Sequence, residues 1–228
     1  MLIRPAFRRR ASALVMPSYL DSGAGAVEAG GDGTFNVPFP ATVAPGNFMV
    51  LHVVAQSTSV LPSPAPGGSW AAGPTNNQAA VFAGAWAFYL PSALGTEGGT
   101  NLSLVCTDAD NFAQARIHRF SHGSGIEASG SAVTGGSGTA VNAVDLTTLG
   151  PNRLALQLFS CSGASIAMGD IGSTGEVTYA EAVAEYFGSF NQQLQTAQVA
   201  NAVAITGGGI TLGSARTTKI RLAFAITP

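Results

Sequence analysis

Three histidines carry the most versatile side-chain chemistry in this 228-residue chain: His52, His118 and His122. His118 and His122 lie four residues apart, a spacing that would align two zinc ligands on one face of a helix. The residues around them alternate as in a strand, where a gap of four residues spans about 13 Å. His52 shares a strand face with Val50 and Val54. The pattern therefore predicts a hydrogen-bonded core or interface histidine at position 52, and no zinc site.

Carboxylates form two candidate groups. Asp108 and Asp110 resemble the start of a calcium loop, but the glycine and the distal glutamate of the helix–loop–helix site do not follow them. A turn in which Asx side chains bond to their own backbone explains this segment better. Glu181 and Glu185 could act as paired carboxylates, yet no sequence feature places them across a cleft. We predict a solvated or intersubunit face for this pair, and no metal site in the chain.

Signatures of nucleophilic catalysis and of phosphate binding are missing from the sequence. No Gly-x-Ser-x-Gly motif occurs, and Gly135–Gly138 reads as a flexible turn between strands. The glycine-rich stretch Gly23–Gly30 lacks the spacing of a dinucleotide-binding loop, and the single lysine, Lys219, lies far from it. We therefore predict no enzymatic activity and no bound cofactor.

The two cysteines, Cys106 and Cys161, are 55 residues apart and match no metal-binding or redox spacing. Both end apolar runs, which favours two buried thiols. A disulfide would require the two strands to be neighbours, and this alternative stays open at the level of sequence.

The composition bounds the class of protein. Charged residues make up 10% of the chain, against about 25% in an average globular domain. The 46% hydrophobic content is too high for a disordered chain, and no apolar run reaches the roughly 18 residues of a membrane span. The length suits one β-sandwich or barrel domain. A surface so poor in charge is typical of a protein that is covered by neighbouring subunits.

The basic residues are distributed unevenly along the chain. Four of the ten basic residues fall in the first ten positions: Arg4, Arg8, Arg9 and Arg10. The apolar stretch Ala11–Met16 is short and Pro17 follows it, which disfavours a signal peptide. No second basic patch accompanies the arginines, which disfavours nucleic-acid binding. We favour an extended arm that docks on an acidic surface of a partner protein.

Alternation with a period of two is the dominant pattern, and it predicts about ten short strands separated by turns rich in glycine and proline. The predicted strands are Leu14–Leu20, Thr34–Phe39, Phe48–Gln56, Ala79–Leu90, Thr100–Cys106, Gln114–Ser121, Ala140–Thr147, Asn152–Ser160, Ile205–Leu212 and Ile220–Ile226. The segment Tyr179–Val203 fits either a helix or a hairpin, and Gly188 favours the hairpin. This spacing predicts an all-β sandwich or barrel, with residues 1–33 as arm and first strand and residues 34–228 as the β-sandwich domain.

Several segments together resemble a diffuse group of tailed-phage virion proteins. They are Ala41–Gln56 with its Pro-Gly turn and long apolar strand, Pro66–Trp70, Trp86–Tyr89, Ala115–Phe120, Leu154–Ser160 and Ile220–Pro228. The resemblance implies a single jelly-roll-like β-sandwich in a structural protein of the phage head or tail. The group shares no catalytic residues, and the arginine-rich first ten residues are not part of its pattern.

Two functions follow as expectations from this resemblance and from the composition. The first is a capsid decoration (cement) protein of the virion, a homotrimer whose body and basic arm bind the major capsid protein or other virion proteins. The second is a tail-fibre or receptor-binding module that recognises a host surface glycan through Trp70 and Tyr89, since aromatic rings can stack on sugars. A cellular carbohydrate-binding or adhesion domain would apply only if a signal peptide were cleaved.

Overall fold

The computed structural model of the chain describes residues 15–28, 34–55, 60–62, 70–78, 83–106, 113–134, 136–163, 165–187 and 190–228. Within these ranges the regular structure consists of eighteen strands and includes no helix. The strands are β1 Tyr19–Ser22, β2 Ala26–Glu28, β3 Thr34–Pro38, β4 Phe48–Ala55, β5 Val60–Pro62, β6 Ala71–Gln78, β7 Ala83–Leu90, β8 Asn101–Cys106, β9 Ala113–Phe120, β10 Gly125–Thr134, β11 Gly138–Asn142, β12 Leu146–Thr147, β13 Arg153–Ser162, β14 Ala180–Phe187, β15 Phe190–Val199, β16 Ala204–Ile205, β17 Gly209–Arg216 and β18 Lys219–Thr227.

Two antiparallel sheets form the centre of the molecule. The first central sheet has the strand order β1-β9-β4-β7-β6, and β2 also pairs with β9. The second central sheet has the order β10-β18-β13-β15-β14. β4 is buried at all eight of its positions. Continuous burial of this kind requires that both faces of the first central sheet be covered.

Three apolar clusters cover the faces of the two central sheets. One cluster joins the first central sheet to the outer sheet β3-β8-β5, as in the packing of Leu51 with Leu102. The second lies between the central sheets and includes Phe48 and Phe224. The third, around Phe159, joins the second central sheet to the strand pairs β11–β17 and β12–β16. The described chain is therefore a stack of antiparallel β-layers around a central pair of sheets.

The all-β class predicted from the sequence is confirmed, and so is the hairpin. The segment Tyr179–Val203 forms β14 and β15, which pair from Ala180 opposite Thr196 to Phe187 opposite Phe190. Alternate residues of β15 enter different layers, because Leu194 packs between the central sheets while Ala197 packs in the outer cluster. β15 is therefore buried on both faces, whereas the described side chains of β14 are exposed or half-buried.

Several strand boundaries differ from the predicted ones. Ala140–Thr147 and Ile205–Leu212 were each expected to form one strand, and each contributes to two short ones, β11 and β12 or β16 and β17. Gly207 and Gly208 break the second segment, since both have positive φ values, 74° and 78°. β2, β5, β6 and β10 were not predicted. β10 has the sequence Gly-Ile-Glu-Ala-Ser-Gly-Ser-Ala-Val-Thr, which lacks a large apolar residue at alternate positions.

The described N-terminal segment is part of the first central sheet. β1 pairs with the end of β9, with Tyr19 opposite Phe120, and β2 pairs with its beginning. Gly23, between them, lies so close to β3 that a Cβ atom there would be 2.1 Å from the carbonyl oxygen of Pro38. The predicted division into residues 1–33 and 34–228 stays a prediction, with its first strand hydrogen-bonded to the body.

Candidate functional site

The arginines predicted to bind a partner, Arg4, Arg8, Arg9 and Arg10, lie outside the described residues. The described residues show how the other charged side chains of the protein are used. Asp108 and Asp110 also lie outside it. Among the described residues no group of three or more histidine, cysteine or acidic side chains is arranged to hold a metal ion.

Cationic side chains of the body are engaged inside it. The guanidinium of Arg119 donates to both carboxylate oxygens of Asp21, from Nε at 2.7 Å and from Nη2 at 2.6 Å. Arg153 likewise binds Glu127, with a distance of 2.9 Å from Nε to Oε1 and 3.3 Å from Nη2 to Oε2. The bidentate geometry fixes both pairs. These two arginines therefore connect β9 to β1 and β13 to β10.

The pair of Arg153 and Glu127 is mostly buried, with side-chain exposures of 15% and 12%. Burial works to raise the pKa of Glu127. The hydrogen bonds from Arg153 and from the Leu149 N–H, together with the Arg153 charge, outweigh burial and hold the pKa below its usual range. This carboxylate is therefore ionised at neutral pH and committed to a structural ion pair.

Three more cationic side chains are also used internally. Lys219 donates from Nζ to the carbonyl oxygens of Gly136 and Gly138, at 3.2 and 3.3 Å. Arg221 donates to the carbonyl oxygen of Asn142 at 2.8 Å and to the hydroxyl of Thr134 at 2.7 Å. Arg116 pairs with Glu185 across the central sheets.

Some carboxylates, by contrast, remain on the surface of the body. Asp170, Glu176 and Glu181 are exposed, and all three belong to the segment that leads into and forms β14. Glu181 accepts one hydrogen bond, from the amide of Gln193 at 2.8 Å. Since β14 is an edge strand of the second central sheet, this segment gives that edge an acidic character.

Five large apolar side chains are exposed in the described structure, and three of them lie just after the predicted arm. They are Val15, Leu20 and Val27, with exposures of 65%, 44% and 39%. Leu94 and Leu149 lie in turns elsewhere. The N-terminal edge of the body therefore offers apolar contact area next to the segment that carries the positive charge.

The structure does not bring the two predicted glycan-binding residues together. Trp70 packs against the cluster on the outer face of the first central sheet, 6.3 Å from the ring of Phe39. Tyr89 packs between the central sheets and stacks on Phe48 at 5.7 Å, with an angle of 10° between the ring planes. The two rings thus belong to clusters on opposite faces of the first central sheet, and each has an aromatic partner within the protein.

Two hollows on the described surface also lack these rings. One, of about 280 Å³, lies between residues 165–168 and β14, with Glu185 and Asn191 in its wall. The other, of about 270 Å³, is lined by Glu176, Val177 and residues 198–203. Both walls are formed mainly by small or polar side chains.

A cluster of polar side chains occupies one corner of the space between the central sheets, and we call it the polar corner. Its members are His52, Gln114, Arg116 and His118 from the first central sheet and Ser160 and Gln192 from the second, and all six are buried. The predicted hydrogen-bonded histidine is confirmed, because His52 Nε2 lies 2.9 Å from the Ser160 hydroxyl oxygen.

His118, which the sequence did not single out as a core residue, is also buried. Its ring centroid is 6.5 Å from that of His52. Neither of its ring nitrogens has a hydrogen-bond partner among the described residues, and the same is true of the amide nitrogen and oxygen of Gln192. His122 lies apart, bonding to the Ser121 hydroxyl at 2.9 Å and the Val15 carbonyl oxygen at 2.6 Å.

Burial sets the protonation state of both corner histidines. Loss of solvation, followed by the Arg116 charge, lowers the pKa of His52 to about 3. The pKa of His118 is lowered well below its usual value by burial first, then by His52 and Arg116. Both rings are therefore neutral at pH 7, and a base with a pKa of about 3 takes a proton from a serine hydroxyl poorly. The contact of His52 with Ser160 serves instead as a hydrogen bond between the two sheets.

Side-chain amides brace irregular segments against the sheets. Gln114 accepts from the Phe190 N–H at 2.6 Å and donates to the Phe190 carbonyl at 3.1 Å. Gln157 forms the same two bonds with Val144, at 3.1 and 2.7 Å. Gln195 accepts from the Ile171 N–H at 2.9 Å and donates to the Gly169 carbonyl at 3.0 Å. Each amide thus forms the two hydrogen bonds, one accepted and one donated, that a backbone group would form in a β-bridge.

Sequence reasoning did not identify these amides. The signal that was available is the run Asn191-Gln192-Gln193-Leu194-Gln195 within a strand, all five of which are buried. Buried polar side chains are nearly always hydrogen-bonded, so such a run predicts segments that need partners. Which segments those are depends on the packing of the layers.

Cys161 carries a free, buried thiol, as predicted, so the alternative of a disulfide is excluded for this residue. Burial raises its pKa to about 11, although Arg216, Asn191 and Lys219 act in the opposite direction. The side chain of Cys106 lies outside the described part.

The described residues contain no helix that is long and apolar enough to cross a membrane. Neither a family model, nor a curated protein, nor a solved structure gives a significant match to this chain.

Proposed function

We propose that this chain is a structural protein of a virion, a capsid decoration protein that binds the phage head through its β-body and its basic N-terminal arm. The central pair of sheets would be the jelly-roll-like sandwich implied by the resemblance. The protein would act as a homotrimer, with the major capsid protein or other virion proteins as its partners.

The distribution of positive charge is the observation that carries this proposal. Cationic side chains of the body bind carboxylates, hydroxyls or carbonyl oxygens within it. Four of the ten basic residues of the chain are the arginines of the arm. Positive charge for a partner is thus concentrated in the arm, while exposed carboxylates remain on the body.

The surface of the body supports the same proposal. Interfaces between proteins are depleted of charge at their centres and combine apolar anchors with polar rims. Val15, Leu20 and Val27 supply exposed apolar groups in the described residues that follow the arm in sequence. A decoration protein needs contact area and no chemistry, and arm and edge together provide it.

The experiment compares capsid binding by the full chain and by a chain lacking residues 1–12. Purified particles of the virus that encodes the chain are stripped of it, mixed with each protein and sedimented. We expect the truncated chain to stay a folded oligomer in analytical ultracentrifugation and to lose binding to particles. Normal decoration by the truncated protein would contradict the role of the arm.

A matched pair of full-length variants separates charge from length. One variant combines Arg4→Gln, Arg8→Gln, Arg9→Gln and Arg10→Gln, and the other places lysine at the same four positions. The glutamine variant should bind weakly because it lacks the four positive charges. The lysine variant keeps them, and its binding should depend strongly on salt because salt screens charges at exposed surfaces. Equal binding by both would show that charge plays no part.

The tail-fibre alternative has a distinct outcome. It predicts glycan binding that is lost on Trp70→Ala or Tyr89→Ala. The two rings belong to clusters on opposite faces of a sheet, so we do not advance this alternative.

A further inference from the structure

His52 and His118 place two titratable rings inside the molecule. They stand on the neighbouring strands β4 and β9, on the face that meets the second central sheet, with exposures of 1% and 2%. Arg116 is the residue on β9 directly opposite His52, and it lies two residues from His118. Three groups that are cationic when protonated therefore share one buried corner.

The groups that face this corner from the surrounding strands offer little compensation for added positive charge. β13 contributes the Ser160 hydroxyl and β15 contributes Gln192, both uncharged. β1 contributes Tyr19, whose ring lies 6.5 Å from that of His118. β7 contributes Ala87, opposite His52, and Tyr89, stacked on Phe48. These side chains are neutral at pH 7.

β14 contributes the carboxylate that reaches the corner, that of Glu185. It pairs with Arg116, whose side chain is 8% exposed, while its own side chain is 46% exposed. The charge of Glu185 therefore balances the one cation that is already present. A proton added to either histidine has no second carboxylate beside it among the described residues.

We propose that the polar corner is an acid-sensitive latch, in which proton uptake by His52 and His118 from the solvent separates the two central sheets at this corner. The corner lies beside the edges of both sheets, since β1 and β14 are edge strands and Tyr19 and Glu185 contact it from there. The edges can thus move apart while the apolar part of the intersheet space stays packed. This inference does not depend on the proposed function.

The direction of the pH effect follows from proton linkage. In the folded chain the pKa of His52 is about 3 and that of His118 is well below its usual value, whereas both titrate near 6.5 in an unfolded chain. The folded state binds fewer protons below pH 6.5, so stability falls as the pH falls. At pH 5 the lowered pKa of His52 reduces the ratio of folded to unfolded chains about 30-fold, and the lowered pKa of His118 reduces it further.

The experiment measures guanidinium unfolding of the full chain at pH 7.5 and pH 5.0. The variants are His52→Gln, which can keep a hydrogen bond to Ser160, and His118→Phe, which replaces a ring without partners by an apolar one. Between the two pH values we expect the folded-to-unfolded ratio of His52→Gln to fall about 30-fold less than that of the natural chain, and the ratio of His118→Phe also to fall less. Gln192→Leu is the control, because it alters packing in the same corner and removes no titrating group. Its pH dependence should equal that of the natural chain.

Two outcomes would overturn the latch. One is a variant that combines His52→Gln with His118→Phe and keeps the pH dependence of the natural chain. The other is a change in the pH dependence of Gln192→Leu as large as in the histidine variants. A measurement on the natural chain covers the case in which a histidine variant does not fold. The NMR ring signals assigned to His52 and His118 should keep the shifts of neutral imidazole at pH 5.5 while the fold persists. Titration of either ring with a midpoint near 6.5 in the folded protein would be decisive against the proposal.

Discussion

The space between the two central sheets contains two regions that are built in opposite ways. Its apolar region, around Phe48, Phe120 and Phe224, is filled by large side chains that are fully removed from solvent. The polar corner, a few residues further along the same strands, holds histidine, arginine and amide side chains at similar burial. The alternation of strand residues buries both sets equally. Burial alone therefore does not reveal which region stabilises the fold.

The difference between the regions is one of satisfied and unsatisfied interactions. In the apolar region every buried group gains from leaving water. In the polar corner Gln114 regains both of its hydrogen bonds from the backbone of Phe190, while His118 and Gln192 regain none from the described residues. A buried polar group without a partner costs about 1–3 kcal/mol. We infer that the apolar region stabilises the fold, and that the polar corner contains one stabilising side chain, Gln114, and two destabilising ones, His118 and Gln192.

The largest effect should come from a cavity in the apolar region. Phe120 is fully buried, and its ring makes edge-to-face contacts with Tyr19 at 5.8 Å and Phe48 at 6.4 Å. Phe120→Ala should lower the free energy of unfolding by about 3–5 kcal/mol. Leu149→Ala, at a side chain that is 76% exposed, is the control and should change it by less than about 0.5 kcal/mol. A guanidinium titration measures both, and similar midpoints for the two variants would contradict the assignment of the core.

A smaller effect on the free energy of unfolding should distinguish the hydrogen-bonded Gln114 from Gln192 within the polar corner. Gln114→Leu leaves the N–H and the carbonyl of Phe190 buried without their partners, which should cost about 2–4 kcal/mol. Gln192→Leu removes an amide that bonds to no described residue, so it should leave the free energy of unfolding unchanged or raise it. The same titration at pH 7.5 compares the two. An equal decrease in the free energy of unfolding for both variants would contradict a stabilising role that is specific to Gln114.

How much of this could be predicted from the sequence depends on the range of the interactions. Alternation predicted the strands that carry large apolar residues, such as β4, β13 and β18, because the signal is local. It missed the edge strand β10, which is rich in small and polar residues and in which a register shift between Glu127 and Gly130 puts Ile126 and Val133 out of alternation. The hairpin of β14 and β15 was favoured over a helix by alternation from Ala182 to Phe190 and by Gly188, which disfavours an uninterrupted helix.

The polar corner could be predicted only in part. The position of His52 between Val50 and Val54 indicated a hydrogen-bonded core residue, and this was confirmed. Its partner, Ser160, is 108 residues away, and the partner of Gln114 is 76 residues away. Such pairs depend on which strands stack across the two sheets, and no local pattern contains that information.

The smallest effect concerns the other face of β13, and it tests how far the comparison extends. Cys161 follows Ser160 directly and therefore points away from the polar corner, into the outer apolar cluster. Its Cα partners in the neighbouring strands are Asn191 and Lys219. With its pKa raised to about 11, roughly one thiol in a thousand is ionised at pH 8, against about one in four for an unfolded cysteine. Reaction with iodoacetamide should therefore be at least 100-fold slower in the folded Cys106→Ser variant than in the same variant in guanidinium, since the thiolate is the nucleophile. Mass spectrometry of the labelled chain gives both rates, and fast labelling of the folded variant would show that this face of the second central sheet opens independently of the polar corner.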